Sequence, residues 1–181
     1  MKIYLYLLLP FFLFFIACKE ENKVQLPPAT QEGKGVLGCL VNGEIFVAQG
    51  GFFGGVDDLS ISVSRNQLGL GCSAYGDDTE VDGNLNIYLS QNFDVYSDKT
   101  FPLISDSRQT GRFLAENGTE YRTGQDKYEG EFTITKLDTV NYIIAGTFWF
   151  DAVSDNGEVV EIREGRFDIK DFCCLADPRY K

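Results

Sequence analysis

The chain predicts an all-β fold, either an antiparallel β-sandwich or a meandering β-barrel, built as a single domain behind an N-terminal leader. Three observations carry that prediction. Short segments of apolar/polar alternation recur along the chain, turn-forming Gly, Asn and Asp clusters separate them, and no stretch beyond the leader sustains a helical period. One polar face per strand fits an antiparallel sheet, because parallel strands are covered on both faces and read as continuous apolar runs.

The first element is a leader expected at residues 1–17. Lys2 gives it a basic start, and residues 3–16 are an almost unbroken apolar run. That is the layout of a secretory signal, too short for a stable membrane-spanning helix. It runs into Phe15-Ile16-Ala17-Cys18, which resembles a bacterial lipobox and makes Cys18 the expected lipid-attachment site. Two or more acyl chains hold a protein on a membrane without a spanning helix, so an outer-membrane lipoprotein is expected. Lys19, Glu20 and Glu21 follow directly and resemble the export signal that sends Bacteroidetes lipoproteins to the cell surface; a periplasm-facing anchor is the alternative. The remainder of 18–35, with Pro27-Pro28 and the glycines Gly33 and Gly35, reads as a flexible tether.

The β domain is expected over 36–172, with a tail at 173–181. Its strongest local signal is Asn42-Gly43 between the apolar runs 37–41 and 44–48, the preferred pair for a two-residue hairpin turn with positive φ at both positions. Alternation then recurs at Leu59/Ile61/Val63, Leu85/Ile87/Leu89, Phe132/Ile134, Val160/Ile162 and Phe167/Ile169. Gly165 stands where the last of these series changes step and predicts a break in strand register; Gly146 predicts a bulge or a close approach. Phe148-Trp149-Phe150 is apolar on both faces, so its strand is either central or has Trp149 covered from outside.

Several of these motifs occur together. Leu26-Pro27-Pro28-Ala29-Thr30 and Gly38-Cys39-Leu40-Val41-Asn42-Gly43 open the domain; Ile134-Thr135-Lys136-Leu137-Asp138, Ala145-Gly146-Thr147-Phe148-Trp149-Phe150 and Glu164-Gly165-Arg166-Phe167-Asp168 stand near its end. In this order they resemble a Bacteroidetes lipoprotein family of unknown function, DUF6252. The resemblance implies an exported β-rich domain and assigns no activity to any residue.

Composition removes whole classes of function. The chain has no histidine, which excludes Ser-His-Asp and Cys-His catalysis, histidine zinc sites and the commonest general base at neutral pH. Gly71-Cys72-Ser73-Ala74-Tyr75 lacks the closing glycine of a nucleophile elbow, and no phosphate-binding glycine loop is present. No enzyme is therefore expected. A net charge of −11 opposes nucleic acid as a partner, since that needs clustered Lys and Arg. Glycans and envelope proteins remain as partners, beside the membrane reached through the anchor.

The candidate sites are few. Phe52 and Phe53 sit between glycine pairs and, with Trp149, are the candidate ligand-binding aromatics; Tyr75, Tyr88, Tyr96, Tyr121 and Tyr128 would extend such a patch. No cofactor is expected. The weak alternative is calcium at Asp78, Glu80, Asp82 and Asn84 around Gly83, although Leu89 stands where the bidentate Glu belongs. Cys39, Cys72, Cys173 and Cys174 allow a disulfide from the C-terminal pair to the body, while Cys39 and Cys72 in strands also suit buried thiols. Asp138-Thr139-Val140 resembles a short O-glycosylation motif in a turn.

The expected function is a non-catalytic surface lipoprotein that binds a glycan, a protein or another envelope component. The alternatives are a lipocalin-like carrier, which needs an enclosed apolar cavity of ~300 to 1,000 Å³, and a carbohydrate-active enzyme built on paired carboxylates, ~5 to 9.5 Å apart.

Overall fold

The computed structural model describes residues 24–49, 59–64, 67–75, 79–90, 98–104, 109–124 and 129–170. Within them the chain is all strand: β1 Val36–Val41, β2 Glu44–Gln49, β3 Leu59–Ser64, β4 Gln67–Ala74, β5 Gly83–Ser90, β6 Lys99–Leu103, β7 Gln109–Ala115, β8 Glu120–Arg122, β9 Gly130–Asp138, β10 Ile143–Ser154 and β11 Val159–Lys170. They form one antiparallel sheet, nearly closed into a barrel. Of the two expected architectures, the barrel is the one adopted.

Local sequence explains the joints. Asn42 and Gly43 have φ of 52° and 89°, and the hairpin register places Val41 opposite Glu44, the two-residue turn that Asn-Gly favours. From there the path runs β2-β1-β11-β10, and the edge of β10 is then shared: its residues 143–150 pair with β9 and its end, Val153 and Ser154, with β8. Beyond β8 follow β7, β5, β4 and β3, while β6 pairs with β9. A strand flanked along its length has no edge to solvent. This is why β10 can be apolar around Phe148-Trp149-Phe150.

Two irregularities fall at the predicted glycines. β11 carries one extra residue opposite each neighbour, at Arg163-Glu164 facing β10 and at Glu164-Gly165 facing β1, and Glu164 has φ of 51°. The bulge exchanges the inward positions from Val160 and Ile162 to Phe167 and Ile169, the change of step visible in the sequence. The second bulge lies in β9 opposite Ala145 and Gly146. A Cβ at Gly146 would stand 2.6 Å from Phe167 Cζ and closer still to the Thr133 carbonyl oxygen, so close packing and the bulge occur at one place.

The inward face is a filled core. Phe46, Phe132 and Phe150 are fully buried with Leu68, Leu85, Leu89 and Ile134. Phe132 stacks on Phe167 at 5.1 Å, and Phe46 meets Phe113 edge-on at 6.0 Å. Cys39 and Cys72 belong to this core as free, buried thiols. The reason is direction: both side chains point to the apolar interior, where desolvation raises their pKa values and leaves the thiol form. Cys173 and Cys174 lie outside the described residues.

Barrel closure falls to the segment before β5. The Glu80 N–H donates to the Ile45 carbonyl at 2.7 Å, and the Ile45 N–H donates to Glu80 Oε2 at 2.8 Å. Buried Thr79 accepts the Val47 N–H at 3.3 Å. The outer edge of β2 is thus satisfied by a loop and its side chains, which blunts an edge otherwise open to strand addition.

The expected tether is shorter than its sequence suggests. Residues from Pro27 onward lie on the barrel, latched by Asp168, which is 1% exposed. Its carboxylate accepts the Thr30 hydroxyl at 2.6 Å and the backbone N–H groups of Glu32, Gly33 and Lys34 at 2.9, 2.7 and 3.2 Å. Burial works against its ionisation, but these hydrogen bonds together outweigh burial and hold its pKa below the ordinary carboxylate value. Lys136 Nζ donates to the Gln31 carbonyl at 2.8 Å, and a Cβ on Gly38 would strike Pro27 Cδ at 2.5 Å. We call this segment the strap.

Candidate functional site

Strand alternation sends Glu131 and Thr133 of β9 and Thr147 and Trp149 of β10 to the outer face, and register sets them side by side: Trp149 opposite Glu131, Thr147 opposite both Thr133 and Arg166. Opposite Trp149 the β11 bulge inserts its extra residue, which re-aims two charged side chains around the indole. Arg163 lies over the ring, 5.6 Å from its centroid, and is tied to Asp151 at 2.6 Å. Glu164, turned by its positive φ, pairs with Arg166 at 3.0 Å. A non-glycine residue held at such a φ is a strained position of the kind that gathers at binding sites.

Around these residues opens a groove of about 400 Å³ lined by Ala29, Glu131, Thr133, Thr147, Phe148, Trp149, Glu164, Gly165 and Arg166. The indole Nε1 donates to Glu131 Oε2 at 3.3 Å, and the Arg166 guanidinium reaches the Pro27 carbonyl at 3.4 Å. The Thr133 hydroxyl sits 2.8 Å from that of Thr100. An aromatic plane is therefore bordered by hydroxyls and carboxylates on one side and by the strap on another. Within the groove Glu164 pairs with Arg166 and Glu131 accepts from the indole N–H, so its rim offers hydrogen-bonding edges beside the aromatic plane.

Of the aromatics singled out in the sequence, Trp149 is in this groove. Phe52, Phe53, Tyr96 and Tyr128 lie outside the described residues. Tyr75 and Tyr88, 56% and 39% exposed, stand on β4–β5 away from it, and Tyr121 packs against Phe113. Two of the calcium candidates are engaged elsewhere. Glu80 is bound to β2, Asn84 Oδ1 accepts from Ser73 Oγ at 2.5 Å while Asn84 Nδ2 donates to Tyr75 at 2.8 Å, and Asp78 lies outside the described residues. Among those residues, no group of three or more His, Cys, Asp or Glu could hold a metal ion. Cys18, Lys19, Glu20 and Glu21 also lie outside them. Thr139 stands exposed in the turn between β9 and β10, where Asp138 accepts the N–H groups of Val140 and Asn141.

Sequence reasoning missed Glu131, Thr133, Thr147, Arg163, Glu164 and Arg166 as parts of one site. The signal available was the bulge at Gly165 beside a strand apolar on both faces; the cross-strand register that unites them was not readable.

Comparison with known proteins gives one match: a family model, the Domain of unknown function (DUF6252), covers residues 78–168. That span holds β5 to β11 up to Asp168 and every groove residue except Ala29; the motifs of residues 26–43 fall outside it. No curated protein and no solved structure matches the chain.

Proposed function

For a chain that belongs to the Domain of unknown function (DUF6252) family, we propose a non-catalytic recognition module of the cell envelope that binds a neutral, hydroxyl-rich glycan in the Trp149 groove. The observation that carries this reading is the half-buried indole on the outer face of a central strand, where a soluble barrel has no folding need for one. The apolar C–H face of a sugar ring packs on such a plane, and its hydroxyls find Glu131, Thr133 and Thr147 at the border. The net charge of −11 favours neutral over polyanionic chains. In this reading the protein is lipid-anchored at Cys18 and presented at the cell surface through Lys19, Glu20 and Glu21.

Binding is favoured over catalysis by the contacts that engage the two groove carboxylates: Glu131 is held by the indole N–H and Glu164 by Arg166. The carrier alternative loses support from the phenyl rings that occupy the barrel interior.

Trp149 is the chain's single tryptophan, so selectively excited indole emission reads this site alone. Titration with neutral hexasaccharides of glucose, mannose, xylose and N-acetylglucosamine should shift it for at least one class, and Trp149→Ala should weaken that binding more than about tenfold in calorimetry. Calorimetric silence across the panel, or equal affinity in the variant, would sink the reading.

A further inference from the structure

We infer that the strap is a detachable wall of the Trp149 groove, with Asp168 the positioning residue that latches it; the functional consequence rests on the glycan reading above. Ala29 lines the groove, and the Pro27 carbonyl is bonded to Arg166, which lines it too. The part of the strap that builds the wall is thus continuous with the part that Asp168 holds.

What holds the strap is concentrated on one group. Four donors, the Thr30 hydroxyl and three successive backbone N–H groups, converge on the Asp168 carboxylate. Beyond that carboxylate, the Gly35 N–H donates to the Asp168 backbone carbonyl at 2.8 Å, and the other strap bonds are Lys136 Nζ to the Gln31 carbonyl at 2.8 Å and Gln31 Nε2 to the Thr135 carbonyl at 3.4 Å, both exposed, and Arg166 to the Pro27 carbonyl at 3.4 Å. Many strap residues are only half-buried or exposed. A segment that buries little apolar surface and depends on one side chain opens as a unit, at lower free energy than the barrel beneath it. Both oxygens are used: Oδ2 accepts from Thr30, Glu32 and Lys34, and Oδ1 from Gly33. An asparagine would therefore turn an NH2 toward at least one N–H donor, whichever way its amide is placed.

The test uses the full chain, with Thr30→Val as the mild variant and Asp168→Asn as the severe one. Thr30→Val removes one charge-assisted bond and leaves the β-sheet intact. Amide hydrogen exchange at Glu32, Gly33 and Lys34 should accelerate about tenfold in it, with barrel amides unchanged. Acrylamide quenching of Trp149 should rise in parallel, and affinity for the hexasaccharide that binds the wild type should fall. Faster strap exchange with unaltered quenching and affinity overturns the inference, because the strap would then be bound to the barrel without shaping the groove. Unchanged strap exchange in both variants also overturns it, by removing Asp168 as the latch. Raised quenching with no hexasaccharide bound by the wild type leaves the wall in place and rejects the glycan reading instead.

Discussion

Replacing Gly111 or Gly146 by alanine measures how full the barrel is. A Cβ on Gly111 would stand 2.8 to 3.0 Å from three atoms of the Phe150 ring, against ~3.5 to 4.0 Å for carbon atoms at rest. Phe150 is fully buried, so the ring has to move by ~0.5 to 1 Å into its neighbours, and overpacking of this kind costs about 1 to 3 kcal/mol. At Gly146 the added atom meets Phe167 and also the Thr133 carbonyl oxygen. Backbone cannot rotate away, so the loss should lie at about 3 kcal/mol or more. Urea unfolding followed by Trp149 emission gives both values, provided the slope with denaturant is unchanged. A double-mutant cycle separates the causes. Phe150→Leu should absorb most of the Gly111→Ala penalty, whereas Phe167→Leu should relieve Gly146→Ala only in part, because the carbonyl stays. If both alanine variants fall within about 0.5 kcal/mol of the wild type, the interior has room, the filled-core reasoning fails and the carrier reading returns.

Two further outcomes follow from the buried groups. Cys39 and Cys72 should escape iodoacetamide in the folded protein and react only on unfolding, read by peptide mass mapping, because burial keeps both as thiols; labelling of either in native buffer would show that the core opens there. The Asp168 pKa is depressed on folding, so strap docking gains from the carboxylate at neutral pH, keeps that gain down to the unfolded value of ~3.9 and loses it as pH falls through the lower folded value. The neighbouring charge is Lys34, whose own pKa is raised by its hydrogen bond and charge pairing with Glu32 and, to a lesser degree, by Asp168. The Gly33 and Lys34 amide resonances should accordingly titrate with a midpoint below ~3.9, and a midpoint above it contradicts the latch geometry.

The fold class was legible because alternation is a local property. The Asn42-Gly43 turn, the break of step near Gly165 and the apolar character of the Trp149 strand on both faces could all be read within a few residues of each. Strands β6, β7 and β8 gave weaker signals: β6 contains Pro102, β7 has Gly111 at an inward position, and β8 has three residues. The strap was read as tether for a physical reason. Its Pro-Pro and glycines look mobile when considered alone, and what fixes them is one carboxylate far along the chain, on the outward side of β11. Nothing local to Asp168 distinguishes it from a solvated strand residue. The groove is hidden in the same way, since Glu131, Trp149 and Arg166 become neighbours only through the register of three strands.

The docked strap also sets the length of the leash. With the chain anchored at Cys18, as proposed, a tether running to Gly35 would let the domain travel ~60 Å from the lipid, at the full extension of ~3.5 Å per residue. Binding from Pro27 onward cuts that reach to ~30 Å. The barrel is then held close to the bilayer, with the groove on the side where the chain arrives. Releasing the latch would remove a wall from the groove and let the module range farther outward in the same event, so a pull on the barrel and the occupancy of its site become mechanically linked.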